Sequence, residues 1–151
     1  VSGPKQQAAD YLEGLTMLAS MRLCPNVPAQ YAVQAALGGH QSINDLTLPN
    51  GRLTEQRDVA WRALNEIPGV SCVEPRGALY CFPRLDPAVY PIEDDEKFAI
   101  DLLRAKKILV THGTGFNWFE PDHFRLVTLP DVDTLTEAIG RIADFLATLR
   151  R

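Results

Sequence analysis

Residues 112–129 read His-Gly-Thr-Gly-Phe-Asn-Trp-Phe-Glu-Pro-Asp-His-Phe-Arg-Leu-Val-Thr-Leu. A glycine-bearing loop leads into an apolar run, Phe124 to Leu129, which predicts a strand with one arginine, Arg125, inside it. Arginine keeps its proton and an unpaired charge is costly to bury, so this guanidinium calls for a carboxylate of the chain or a bound anion. Downstream, Asp131 or Asp133 can cap a long helix whose Val132, Leu135, Ala138, Ile139, Ile142, Phe145, Leu146 and Leu149 form one apolar stripe.

Reading upstream from the same stretch, Lys107 to Val110 predicts another strand, preceded by a helix from Asp94 or Asp95 to Ala105 with Phe98, Leu102 and Leu103 facing inward. Val70 to Val73 and Ala78 to Phe82 read as two strands, and the short Pro75-Arg76-Gly77 connection suggests that they pair as a hairpin. Leu53 to Ile67 carries Val59, Ala60, Ala63, Leu64 and Ile67 on one helical face and closes at Pro68-Gly69. The order helix, hairpin, helix, two strands, helix implies an α+β fold, with helices packed on a small, mostly antiparallel sheet.

The first fifty residues are different in kind. Gln6 to about Leu23 and Pro28 to Leu37 read as helices, and the Gly, Asn, Ser and Pro content of residues 39–50 reads as a connector. No strand is available there for the helices to pack on, so their partner is expected upstream of Val1. An exposed apolar patch on Tyr11, Leu15, Leu18, Tyr31 and Val33 is the structural consequence.

With 151 residues, 46% hydrophobic and 23% charged, the chain suits one globular domain or a piece of a larger protein. A formal net charge of −4 gives no electrostatic footprint for nucleic acid or anionic lipid. Its apolar runs are too short and interrupted to span a bilayer, and no signal peptide is legible. Cys24, Cys72 and Cys81 form no C-x-x-C pair, which argues against a disulfide framework or zinc site and for a reducing cytoplasm, with the thiols as small buried hydrophobes. His40, His112 and His123 are scattered and read as loop or surface residues. The run Glu93-Asp94-Asp95-Glu96 is explained by a helix dipole without invoking a metal. Gly113-Thr114-Gly115 lacks the third glycine of a dinucleotide fingerprint, leaving two readings open: a loop that lets backbone approach a ligand, or a plain turn.

Four segments occur in a telling order: Gly3-Pro4-Lys5; residues 21–30, Met-Arg-Leu-Cys-Pro-Asn-Val-Pro-Ala-Gln; residues 75–83, Pro-Arg-Gly-Ala-Leu-Tyr-Cys-Phe-Pro; and Gly113 with Phe116 and Phe124-Arg125-Leu126. Together they resemble the C-terminal part of the class I/II, fold type I, pyridoxal-phosphate aminotransferases. Residues 17–24 and 67–73 are most similar to the bacterial glutamate–pyruvate (alanine) group. The resemblance implies that residues 1–50 are a helical remnant of the large cofactor-binding domain plus a connector, and 51–151 the small, substrate-closing domain. It assigns Arg125 to the α-carboxylate of amino-acid and 2-oxo-acid substrates, through a planar fork of donors that fits a carboxylate. It places the 113–116 loop at the mouth of the site, Tyr80 at its edge or simply half-buried, and Asn26 in a loop reaching toward the partner subunit of a homodimer. Arg22 lies near a position that is acidic in some relatives, but its spacing favours a solvent-exposed helix residue.

The same resemblance puts the Schiff-base lysine and the residues holding pyridoxal phosphate upstream of Val1. Lys5, Lys97, Lys106 and Lys107 are the four lysines present, and none stands in that context. No catalytic, cofactor-binding or metal-binding residue is therefore expected in the chain, which by itself should be inactive. The implied parent is a cytoplasmic transaminase, expected to work between glutamate and pyruvate. Aspartate or branched-chain specificity, and a non-catalytic α+β binding domain, stay open as alternatives.

Overall fold

The computed structural model describes residues 6–150, so Gly3-Pro4-Lys5 lies outside the described residues. The chain divides into two compact units, one up to Ser42 and one from Ile43.

The first unit contains α1 (Ala9–Arg22) and α2 (Val27–Gly38). Neither helix has a fully buried residue: Tyr11, Leu18, Tyr31 and Val33 are exposed and Leu15 is half-buried. Asn26 caps α2 by accepting from Ala29 N at 3.4 Å, and a proline sits in the first turn, where a missing N–H costs nothing. Arg22 is exposed in the last turn of α1. Cys24 is also exposed, which corrects the expectation of a buried thiol.

A short helix, α3 (Ser42–Thr47), starts at the boundary and lies almost wholly in the second unit, inside the stretch expected to be a connector. It satisfies its polar groups locally: Leu48 N donates to Asn44 O at 2.8 Å and Thr47 Oγ1 to Ile43 O at 2.8 Å. Then follow α4 (Arg52–Asn65), β1 (Val70–Ser71), β2 (Tyr80–Cys81), β3 (Arg84–Leu85), α5 (Asp95–Lys106), β4 (Thr111–His112), a 3₁₀ turn (Thr114–Phe116), β5 (Phe124–Val127) and α6 (Val132–Leu149). Asp94 caps α5 through Lys97 N and Asp131 caps α6 through Thr134 N. The bonds from Thr134 hold the Asp131 carboxyl below its ordinary range.

The hairpin expectation fails. β1 pairs antiparallel with β3, matching Val70 with Leu85, while β2 pairs with β5, matching Tyr80 with Val127. β5 is central, with β4 on its other edge through Thr111 opposite Arg125. The connection through Pro75 is no two-residue turn, and a free edge of β5 offers β2 an unbroken ladder. Pro83, which has no N–H, then separates β2 from β3. The strand expected at Lys107–Val110 also shifts. Lys107 adopts φ 59 and its N–H bonds Leu103 O at 2.9 Å, so it ends α5, and the ladder begins only at Thr111.

Helices α4, α5 and α6 bury their apolar stripes together with the inward side chains of the strands. Leu64, Leu102, Phe124, Ile142 and Leu146 are inaccessible to solvent, at 0%. Leu103, expected inward, is exposed, because Leu102 already occupies the core direction of that turn. The mixed α+β architecture with a small antiparallel sheet is as the element order implied.

Candidate functional site

Strand alternation places Arg125. In β5, Phe124 and Leu126 point into the helical layer, so Arg125 and Val127 occupy the other face. Tyr80 lies opposite Val127 and is therefore the diagonal neighbour of Arg125 on that face. Its ring centroid is 4.5 Å from the Arg125 Cζ, and Phe116 approaches the same carbon to 4.4 Å. The guanidinium thus has two aromatic contacts, each contributing about 0.5–1 kcal/mol of cation–π attraction.

No carboxylate among the described residues answers it. Among the described residues Arg125 has no ion pair, and its Nε is buried without a hydrogen-bond partner. A half-buried cation packed by aromatic rings, with unspent donors, suits an incoming planar anion. Arg125 was legible in the sequence; the pairing of Tyr80 and Phe116 around it was not.

The 113–118 loop is built tightly. Gly113 N donates to His123 O at 2.9 Å, and Phe116 N returns to Gly113 O at 2.9 Å. A Cβ on Gly113 would stand 2.8 Å from His123 O, and one on Gly115 2.8 Å from His112 Nε2. The two glycines are there because these histidines come close, which accounts for them by packing within the protein.

Two acidic residues hold this loop: Asp95, which the sequence offered as a helix cap, and Asp122, which it did not mark. Asp95, 4% exposed, accepts from Thr114 N at 2.9 Å and from Thr114 Oγ1 at 2.7 Å. The helix dipole therefore explains only part of the Glu93–Glu96 run. Asp122, 8% exposed, meets Arg84 Nε at 2.8 Å, Trp118 Nε1 at 3.1 Å and His123 Nδ1 at 2.6 Å. Burial alone would raise the Asp122 carboxyl, but the bonds from Arg84, His123 and Trp118 outweigh it and hold the group below its ordinary value. His123, expected at the surface, stacks instead on Phe82 at 4.7 Å and meets Trp118 at 4.5 Å. The adjacent Asp-His pair was the available signal.

Buried thiols contribute nothing to this face. Cys72 Sγ donates to Val73 O at 3.5 Å, and the interaction of the two neighbouring thiols lowers Cys72 and, with burial, pushes Cys81 far up. Both belong to the core cluster.

The described residues do not fit a pyridoxal-phosphate site of their own. Lys97 pairs with Asp101, Lys106 with Asp144 at 3.4 Å, and Lys107 donates to Arg104 O at 3.0 Å. The buried carboxylates Asp95 and Asp122 are already spent on protein donors, leaving neither for a pyridinium nitrogen. No helix among the described residues is long and apolar enough to cross a membrane.

Comparison with known proteins shows the family. The sequence profile of the family described as aminotransferase class I and II matches residues 6–142. The chain is 65% identical over 151 residues to an alanine aminotransferase of Mycobacterium tuberculosis, covering 100% of this chain and 35% of that protein. It is 56% identical over 147 residues to a glutamate-pyruvate aminotransferase of Escherichia coli K12, covering 97% of this chain and 36% of the relative. The crystal structure of an Escherichia coli aminotransferase superposes with a TM-score of 0.83 at 55% identity, covering 99% of this chain and 37% of that one. The chain thus spans about a third of the length of the relatives it matches.

Proposed function

We infer function from one premise: the chain belongs to the aminotransferase class I and II family. On that premise, it is the substrate-closing portion of a pyridoxal-phosphate-dependent transaminase that exchanges an amino group between an amino acid and a 2-oxo acid. Alanine–pyruvate and glutamate–2-oxoglutarate are the expected pairs, by likeness to the relatives named above. Arg125 carries this reading, because its guanidinium is packed on Tyr80 and Phe116 yet has no carboxylate partner among the described residues. The partner it awaits is the carboxylate that every substrate of the reaction shares.

Residues 1–50 belong, in this reading, to the large domain and its connector, and 51–151 to the small domain that closes over substrate. The cofactor supplies the electron sink when bound, but the groups that hold it come from outside this chain. What these residues do is bind and orient. The rings of Tyr80 and Phe116 flank the guanidinium, and its planar fork fixes the substrate carboxylate in two hydrogen bonds, orienting the α-carbon without proton transfer. A homodimer with Asn26 near the partner's site, and a cytoplasmic setting, complete the proposal.

The test is a chimera in which this chain replaces the matching segment of the Mycobacterium tuberculosis relative. Arg125→Lys should raise KM for alanine, glutamate, pyruvate and 2-oxoglutarate together, by about tenfold or more, since a point charge replaces a bidentate fork. An unchanged KM for all four would overturn the clamp. A panel of amino donors on the Arg125 parent settles specificity, and preference for aspartate over alanine would overturn the alanine assignment.

A further inference from the structure

The loop over Arg125 is tied down at both ends by buried carboxylates. At its start, Asp95 accepts the backbone N–H and the hydroxyl of Thr114. At its end, Trp118 donates its indole N–H to Asp122 and lies 4.5 Å from the His123 ring. Phe116 sits between these anchors and reaches the guanidinium. A six-residue turn stabilised only by its own backbone would need neither acid. Asp122 is further held by Arg84 and His123, and the His123 carbonyl receives the Gly113 N–H, so one cluster grips both limbs of the loop.

We propose that Asp122, acting with His123 and Trp118, is a positioning residue for the carboxylate clamp: it fixes the 113–118 loop so that Phe116 stays packed on Arg125 in the substrate-ready orientation. This rests on the Arg125 reading above and deepens it. Asp122 touches no reacting group; its influence reaches substrate through Phe116. The cost of orienting the guanidinium is met during folding instead of during binding, which is where preorganisation raises affinity. Removing the anchor should therefore weaken carboxylate binding while leaving the bond-making steps alone.

In the chimera described above, Asp122→Asn should raise KM for both the amino-acid and the 2-oxo-acid substrate about fivefold to tenfold, with kcat within about twofold. Trp118→Phe, which removes the indole N–H and keeps a smaller aromatic ring, should move KM in the same direction by less, and serves if Asp122→Asn fails to fold. In a Phe116→Ala background either change should lose its effect on KM, because the residue it acts through is gone. Additive effects of Phe116→Ala with Asp122→Asn or Trp118→Phe would overturn the positioning role. So would a fall in kcat at constant KM. Arg125→Lys separates the two ideas: if it raises KM for all substrates while the Asp122 and Trp118 variants do not, the clamp stands and its positioning by Asp122 fails.

Discussion

The two faces of β5 show how four residues divide two tasks. Phe124 and Leu126 face the helices and are buried, at 0% and 6% exposure, where they join the core with Leu64, Leu102 and Ile142. Arg125 and Val127 face the other way, where Tyr80 and Phe116 form an aromatic bracket and no carboxylate among the described residues pairs with the guanidinium. One face gains stability from complementarity already achieved inside the protein. The other holds a cation that meets no carboxylate among the described residues. On the proposed function, stability and recognition are separated by a single step along the backbone.

That separation can be broken most strongly at Phe124. Phe124→Ala should destabilise the chain by about 3–5 kcal/mol, because it removes a fully buried ring and leaves a cavity; a shift of the urea midpoint measures it. A second effect comes from the anchor beneath the loop. Asp122 has a depressed pKa in the folded state, so its contribution is present above the ordinary carboxylate range and is lost as pH falls through the folded value. Stability profiles between about pH 7 and pH 3 should fall on the acid side, and Asp122→Asn should flatten that fall. The smallest change is expected at Arg125 itself. Arg125→Met should alter stability by no more than about 1 kcal/mol, since lost cation–π attraction is offset by removal of a buried Nε without a partner. A large destabilisation there would mean that Arg125 is a structural residue and not one held ready for a ligand.

The helices show how far sequence reading carries. The stripe of α6 and the cap at Asp131 were legible because both depend on spacing within one segment, and Leu135, Ile139, Ile142, Phe145 and Leu146 are buried as that spacing requires. The helices α1 and α2 were equally legible, yet none of their residues is fully buried. Local periodicity specifies a helix but says nothing about which surface will cover it. Strand partners were harder for a related reason. The strands expected at Val70 to Val73 and Ala78 to Phe82 form only at Val70–Ser71 and Tyr80–Cys81, with Ala78 at φ 58, and while the first pairs with nearby β3, the second pairs with the edge of β5, more than forty residues away. Asp95 was legible as a helix-start acid, but its bonds to Thr114, 19 residues on, were not.

By itself, the amino-acid sequence determined the five longer helices, the α+β class, the likeness to the aminotransferase family and the presence of an arginine on an apolar strand. These follow from period, caps and motif order, all of which are local or read in sequence order. Only the tertiary structure decided that Tyr80 and Phe116 bracket that arginine, that no carboxylate reaches it among the described residues, and that Asp95 and Asp122 tie down the loop above it. Those facts depend on which strand edges meet and which buried donors find acceptors, and long-range packing settles both.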